Sequence, residues 1–197
     1  MVSAINMWIS LLLFSYVQST GTITNGAVKW KQCPTNCSCW LTEDWHTFDE
    51  YSLLVDCQGR TDADSGRLSK EIGSMLSSNL TYDLLTSLSI VNSSLTHVLR
   101  SICRLTTLRW LYLHNNQLTR LPDCLSNLSN LITFKADDNS IETLQDGVFD
   151  GLTELTVFGL RRNGISSIGL SVFTASSNLS SLLDIDLSEN NLTSSDT

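Results

Sequence analysis

Six cysteines and three histidines are the side chains of this sequence best suited to bind a metal or form a covalent cross-link. A zinc site would need histidines spaced as ligands, but His46, His97 and His114 are scattered along the chain. An even number of cysteines in an exported chain favours disulfides instead, and four clustered cysteines allow three pairings. The cluster consists of Cys33, Cys37, Cys39 and Cys57, and the other two cysteines are Cys103 and Cys124.

Catalytic motifs are sparse. Once the repeats described below are aligned, His114 lies beside Asp137, which would supply two members of a Ser-His-Asp triad. No serine is placed as the nucleophile, and the equivalent of His114 in the preceding repeat is Val91. The sequence has no P-loop and no glycine-rich phosphate motif. We therefore expect no enzymatic activity, no cofactor and no metal site.

The amino-terminal segment predicts export. Residues 7–17 form an apolar run that is too short to span a bilayer, and small residues at 18–21 suit cleavage by signal peptidase. We assign residues 1–20 to a signal peptide and residues 21–32 to a short linker; the alternative is a buried first helix. Because no later apolar run is long enough to span a membrane, we expect no transmembrane segment in this chain and a secreted or extracellular location.

Charge and sequons agree with that location. The chain has 12 basic against 20 acidic residues, a net charge of −8, which argues against a nucleic-acid partner. Asn36 also begins a sequon, but it lies within the cysteine cluster, where we do not expect a glycan. The predicted N-glycosylation sites are Asn79, Asn92, Asn127, Asn178 and Asn191.

An internal repeat explains the unusual composition of 33 leucines and 29 serines. The pattern L-x-x-L-x-L-x-x-N-x-L occurs five times. Alternation within x-L-x-L predicts one short strand per repeat, with leucines inward and variable residues outward. Successive strands pair in parallel, since no repeat can bury its apolar side alone. The repeats begin at Leu85, Leu108, Leu131, Leu155 and Leu182.

Two further columns of residues follow each strand. The first is an asparagine column in which the amide can bond backbone groups that would otherwise be buried without a partner. The second is apolar and inward, and on the convex side Phe149 and Phe173 can stack between neighbouring turns as part of the core. The columns are Ser93, Asn116, Asn139, Asn163 and Asn190, then Val98, Leu121, Leu144 and Ile168.

Each strand is followed by a return segment, which leads back to the start of the next strand. Cys103 and Cys124 occupy nearly equivalent positions on consecutive return segments. Adjacent turns lie roughly 5 Å apart, a spacing that suits a disulfide. The alternative is a pair of buried free thiols.

These repeats resemble the leucine-rich repeat family, which implies an α/β solenoid: a horseshoe with a parallel concave β-sheet and an irregular or short helical convex side. The cysteine cluster resembles the family's amino-terminal cap, C-P-x-x-C-x-C…C. That resemblance implies the disulfides Cys33–Cys39 and Cys37–Cys57. We divide the chain into a cap with a degenerate first repeat at 33–84 and five repeats at 85–197, the last truncated and without a carboxy-terminal cap.

The outward residues are candidates for ligand binding. Trp110, Tyr112 and His114 form an aromatic cluster on one strand, and binding hot spots favour aromatic residues and arginine. The alternative is that a glycan or the neighbouring strands cover this cluster. Lys135, Arg161 and Arg162 would suit an anionic ligand, but acidic residues on adjacent strands favour a lateral ladder of ion pairs.

Residues 148–173 and 179–194 resemble ectodomains of Toll-like receptors, particularly invertebrate ones. This resemblance implies a fragment of a receptor ectodomain that binds a protein, glycan or lipid ligand on its concave face. The alternative is a secreted matrix or adhesion protein. We also expect the open carboxy-terminal end to be covered by a second copy or by another partner.

Overall fold

The computed structural model describes residues 21–24, 27–30, 33–35, 37–43, 51–59, 67–68, 70–72, 74, 85–98, 100–173 and 179–193. The predicted signal peptide and the sequons at Asn79 and Asn178 lie outside these residues. Within them, no helix is both long enough and apolar enough to cross a membrane.

The described strands belong to one large sheet and one small sheet. The large sheet has the order β1-β2-β3-β4-β5-β6-β7-β9-β11, and the small sheet pairs β8 with β10. Short 3₁₀ helices, Arg100–Arg104 and Leu125–Asn127, lie on the return segments. The strands are β1 (Gly21–Thr24), β2 (Ala27–Trp30), β3 (Cys37–Glu43), β4 (Tyr51–Gln58), β5 (Leu85–Val91), β6 (Trp110–Tyr112), β7 (Thr133–Lys135), β8 (Thr143–Leu144), β9 (Val157–Gly159), β10 (Ser167–Ile168) and β11 (Asp184–Asp186).

The sheet changes character at β4. Strands β1 to β4 pair antiparallel, whereas β4 pairs in parallel with β5, and every later pairing in this sheet is also parallel. β4 therefore supplies a parallel strand ahead of the five repeats. Residues 21–32, which we expected to be a short linker, contain β1 and β2. The β-branched residues of these two strands favour extended backbone. β1 pairs with β2, and β2 pairs in turn with β3.

The horseshoe core lies behind the parallel strands. The inward residues Leu88, Leu111, Phe134 and Phe158 align from strand to strand and are fully buried. Phe134 stacks on Phe158, with ring centroids 5.3 Å apart. This uninterrupted apolar column confirms the predicted leucine-rich repeat horseshoe, because each strand buries its apolar side only against its neighbours.

Phenylalanines extend the core toward the convex side. Phe149 is fully buried, with its ring edge-on to Phe158 at 4.7 Å and tilted against Phe173 at 5.7 Å. Phe173, which we expected in the core, remains 46% exposed. Phe173 is the last phenylalanine of this stack in the described residues, and it packs against Phe149 on one side.

The asparagine column forms a regular ladder between repeats. The Asn116 amide nitrogen donates to the carbonyls of Ile90, 2.8 Å away, and Leu113, 3.0 Å away. Its amide oxygen accepts the backbone N–H of Leu95 at 3.2 Å. Ser93 is too short for this pattern and donates instead to Val91 within its own repeat. Asn139, Asn163 and Asn190 repeat the Asn116 pattern.

Disulfides close the amino-terminal end. Cys33 is bonded to Cys39 and Cys37 to Cys57, with Cα atoms 5.6 and 4.2 Å apart. Glu71 ties the cap to the first return segment, since its carboxylate accepts the hydroxyl of Thr35 at 2.7 Å.

The third disulfide joins the return segments that follow β5 and β6. Cys103 and Cys124 have Cα atoms 5.3 Å apart, and the two 3₁₀ helices lie beside this bond. The described chain thus has no free cysteine.

Candidate functional site

The concave face presents four outward positions from each parallel strand and the turn that follows it. We define this face as the outward residues of the parallel strands of the large sheet, together with the residues of the turn directly after each of them; these strands are β4, β5, β6, β7, β9 and β11. Register places Trp110 between Ser87 and Thr133, and Tyr112 between Ser89 and Lys135. The predicted alignment of outward residues therefore matches the observed pairing. Ser87 and Val91 point outward but are only 8% and 5% exposed.

Left-handed backbone follows every parallel strand of the large sheet and sets the direction of the outermost residue of each repeat on this face. Asn92, Asn115 and Asp138 have φ values between 48° and 54° although none is glycine. Asparagine and aspartate tolerate this conformation better than most residues, since their short polar side chains bond locally. The same conformation occurs at Gly59, Arg162 and Glu189.

The aromatic cluster lies near the middle of this face. Trp110, Tyr112 and His114 are all half-buried, so each ring is packed and yet partly open to solvent. The Tyr112 and His114 rings meet edge-on, with centroids 6.5 Å apart. Burial raises the pKa of the Tyr112 hydroxyl, which stays neutral at physiological pH. Trp110 and Tyr112 therefore offer uncharged rings with polar tips.

Arg161 and Arg162 are paired laterally along the sheet. The Arg162 guanidinium donates to both carboxylate oxygens of Asp138, one of them 2.8 Å away. The Arg161 side chain donates to Glu189, with a distance of 2.8 Å from Nε. Hydrogen bonding to Arg162 lowers the pKa of Asp138 and raises that of Arg162. Both guanidinium groups thus already face a carboxylate, which leaves less positive potential for an anionic ligand.

Lys135 differs from the two arginines because no described carboxylate forms an ion pair with it. Gly159 lies beside it in register, and a Cβ at Gly159 would lie 3.3 Å from the Lys135 Cγ and 2.9 Å from the Asp137 carboxylate. The missing side chain lets both groups lean over β9. The stem of Lys135 therefore lies toward β9, on the side away from Tyr112.

Several carboxylates of the face have no cation partner among the described residues. Asp186 accepts the backbone N–H of Ser188 at 2.9 Å and also its hydroxyl, and these bonds lower the pKa of Asp186. Asp56 accepts the Ser89 hydroxyl at 2.8 Å. Asp137 accepts the backbone N–H of Arg161 at 2.9 Å, and Asp184 is exposed.

The structure does not join the two candidate triad members. Asp137 accepts a hydrogen bond from the backbone N–H of Arg161, and the His114 ring packs against Tyr112. Within the described residues, no three histidine, cysteine or acidic side chains are grouped to hold a metal ion. The described side chains of this face thus form a surface suited to binding.

Three of the predicted glycosylation sites can be located. Asn92 is exposed at the edge of the concave face, and its amide oxygen accepts the Asn115 amide at 2.9 Å. Asn127 ends a 3₁₀ helix on the return side, and Asn191 follows β11 in the last described turn; both are exposed.

The sequence did not predict two features of this surface, the position of Asp56 and a cleft on the return side. Asp56 joins the concave face because β4 pairs with β5, but β4 lacks the repeat motif and only its alternating apolar residues could have indicated it. A cleft of about 210 Å³ opens on the return side, lined by Arg120, Asp123, Gln145 and Asp146 among others. It lies between the return segments of two consecutive repeats, at residues 120–126 and 143–148.

Two known proteins resemble part of this chain. The chain is 37% identical over 94 residues to lumican from Rattus norvegicus, an alignment that covers 48% of this chain and 27% of lumican. Among solved structures, an internalin from Listeria monocytogenes matches 57% of this chain and 31% of its own, with 26% identity and a TM-score of 0.47. The chain spans under a third of either protein. No family model matches the sequence.

The strand register, the asparagine ladder and the similarity to lumican point to the same architecture. The parallel strands of β4 to β11 stack one repeat on the next, and the cysteine cluster closes the first of them. The described part of this chain has a leucine-rich repeat fold with amino-terminal disulfides.

Proposed function

We propose that this chain is a non-catalytic extracellular recognition module that binds a protein ligand on its concave face. The observation that carries the proposal is the row of half-buried Trp110 and Tyr112 in the middle of the sheet. Alternation along β6 places Leu111 in the core and both rings on the outward face, and the core is filled by leucine and phenylalanine without them. Large rings held half-open on a rigid sheet are the usual anchors of protein interfaces.

The other residues predicted to contact the ligand have different roles. His114 packs against Tyr112 and extends the aromatic surface. Lys135 contributes an ammonium group that forms no ion pair with any described carboxylate. Arg161 and Arg162 are paired with acids, so we assign them to shaping the face more than to direct capture of ligand.

Site-specific photo-crosslinking tests whether the concave face is the contact surface. A benzophenone amino acid would replace Tyr112 in one variant and Leu170 in the other, because Leu170 is 99% exposed on the return side. We expect crosslinks to extracellular proteins from position 112 and few from position 170. Crosslinks from position 170 alone would place the contact surface elsewhere and contradict the proposal.

The receptor interpretation makes the more specific claim that the module belongs to a Toll-like or related receptor ectodomain. It rests on the resemblance of residues 148–173 and 179–194 to such ectodomains. A secreted matrix or adhesion protein is equally compatible with the likeness to lumican. The two differ in what the complete protein contains.

Sequencing the complete transcript across the codon for Thr197 separates these alternatives. An open reading frame that continues into more repeats, an apolar span and a signalling domain would support the receptor. A frame that ends without an apolar span would exclude a signalling receptor and favour the secreted protein.

A further inference from the structure

The concave face has more negative than positive charge. Its outward positions contain six carboxylates and three cationic side chains, with histidine taken as neutral. Two of the cations, Arg161 and Arg162, are bonded to Glu189 and Asp138. Lys135 is therefore the remaining cation of the face. The remaining carboxylates are Asp56, Asp137, Asp184 and Asp186.

These carboxylates lie on both sides of the aromatic cluster. Asp56 lies on β4, two strands before Trp110 and Tyr112, and Asp184 lies on β11, three strands after them. Five steps between neighbouring strands correspond to about 24 Å. A polypeptide that crosses the strands could therefore reach both acids and pass over the rings.

The rings themselves are suited to cations. The Tyr112 ring packs edge-on against His114. The stem of Lys135 lies over Gly159, away from Tyr112. Cations are attracted to the faces of tryptophan and tyrosine, and nearby carboxylates strengthen the attraction.

We infer that the ligand of the concave face is a protein that presents an extended basic segment, whose lysine or arginine side chains contact Trp110 and Tyr112 and pair with Asp56 and Asp184. This inference rests on the proposed function and specifies the chemistry of the partner. The charge of the whole chain, −8, acts in the same direction at long range. Recognition of an anionic glycan is the opposite outcome.

Binding of decalysine to the full chain tests the inference, with decaglutamate and heparin as probes of the opposite charge. The concave variant is Asp56→Asn/Asp184→Asn. The matched control is Glu142→Gln/Glu154→Gln, which removes the same charge from exposed positions outside the face. A further variant, Trp110→Leu, keeps an apolar side chain but removes the ring.

We expect the concave variant to weaken decalysine binding about fivefold or more, and the control less than about twofold. Trp110→Leu should weaken it about threefold or more, because a cation–π contact is lost. Circular dichroism of each variant verifies that the fold is intact.

Equal losses in the concave variant and its control would overturn the inference, because binding would then depend on net charge alone. Tighter binding of heparin or decaglutamate, sensitive to Trp110→Leu, would also overturn it while leaving the concave face as a recognition surface. If neither Trp110→Leu nor the concave variant altered the binding of any probe, the proposed function would fail along with the inference.

Discussion

Buried amides determine how each repeat joins the next. Asn116 donates to two carbonyls and accepts a backbone N–H, so its amide connects three backbone groups of adjacent turns. The spacing of the column was visible in the sequence. The exception at Ser93 was visible as well, and its shorter side chain explains why it bonds within its own repeat.

Asn116→Ala should destabilise the fold by about 2–3 kcal/mol, because it leaves the Leu95 N–H and the carbonyls of Ile90 and Leu113 without these bonds. Asn130 is exposed and donates one bond, to Thr106 at 2.7 Å. Its alanine variant should lose less than about 1 kcal/mol. Denaturant unfolding of the two variants measures the difference, and equal losses would contradict the ladder's role.

Removing the guanidinium of Arg162 should return the pKa of Asp138 toward its ordinary value, because the Arg162 hydrogen bond is the largest cause of the lowering. Carboxyl NMR titration of Arg162→Gln measures the change. Arg120→Gln is the control, since Arg120 forms its ion pair with Asp123.

The same pair predicts a pH dependence of stability. A lowered carboxyl pKa stabilises the folded chain above the ordinary value, near pH 4, and this contribution disappears as pH falls through the lowered value. Between pH 6 and about pH 2, the wild type should therefore lose slightly more stability than Arg162→Gln. The effect is small because the pair is largely exposed.

At the level of elements, the return segments pack by close backbone approach. β8 and β10 form a second parallel sheet, with Leu144 beside Ile168. The Gly169 N–H donates to Leu144, and the Ser171 N–H donates to the Asp146 carboxylate. The sequence indicated the apolar column here, but it did not indicate a strand pair, since two-residue strands leave no alternating pattern.

Gly169→Ala should destabilise the chain by about 1–3 kcal/mol, since its Cβ would lie 2.3 Å from the Asp146 carboxylate and 2.8 Å from the Asp146 backbone nitrogen. Gly164→Ala is the matched control, because its nearest contact, the Ile141 carbonyl, would be at 3.6 Å. Its free energy of unfolding should change by less than about 0.5 kcal/mol. Thermal unfolding of both variants tests the contrast, and a tolerated Gly169→Ala would refute the close approach.

Across the whole molecule, contacts run between neighbouring turns, so stability depends on each interface in series. The cap disulfides close the first of these interfaces, and the third disulfide joins two returns. The sequence predicted the Cys103–Cys124 bond because the two cysteines occupy equivalent positions on successive turns. Such positions lie side by side only when the repeat is regular.

Replacing both Cys103 and Cys124 by serine should lower the free energy of unfolding by about 3 kcal/mol, as expected for a loop of this length. Chemical denaturation under non-reducing conditions gives the value, and peptide mapping of the wild type by mass spectrometry verifies the bond. An unchanged unfolding free energy would show that the disulfide adds no constraint to the unfolded chain.

The sequence by itself determined the repeat, the inward columns and the order of the outward residues, because a parallel strand of alternating residues has one register that buries the leucines. It also predicted lateral pairing of the arginines, since neighbouring repeats place acids and bases side by side. The tertiary structure alone decided that β4 adds Asp56 to the face, because its pairing with β5 depends on contacts across a degenerate repeat. It likewise decided that the Lys135 stem lies toward Gly159 and pairs with no carboxylate of the described residues, because side-chain direction depends on the space above Gly159.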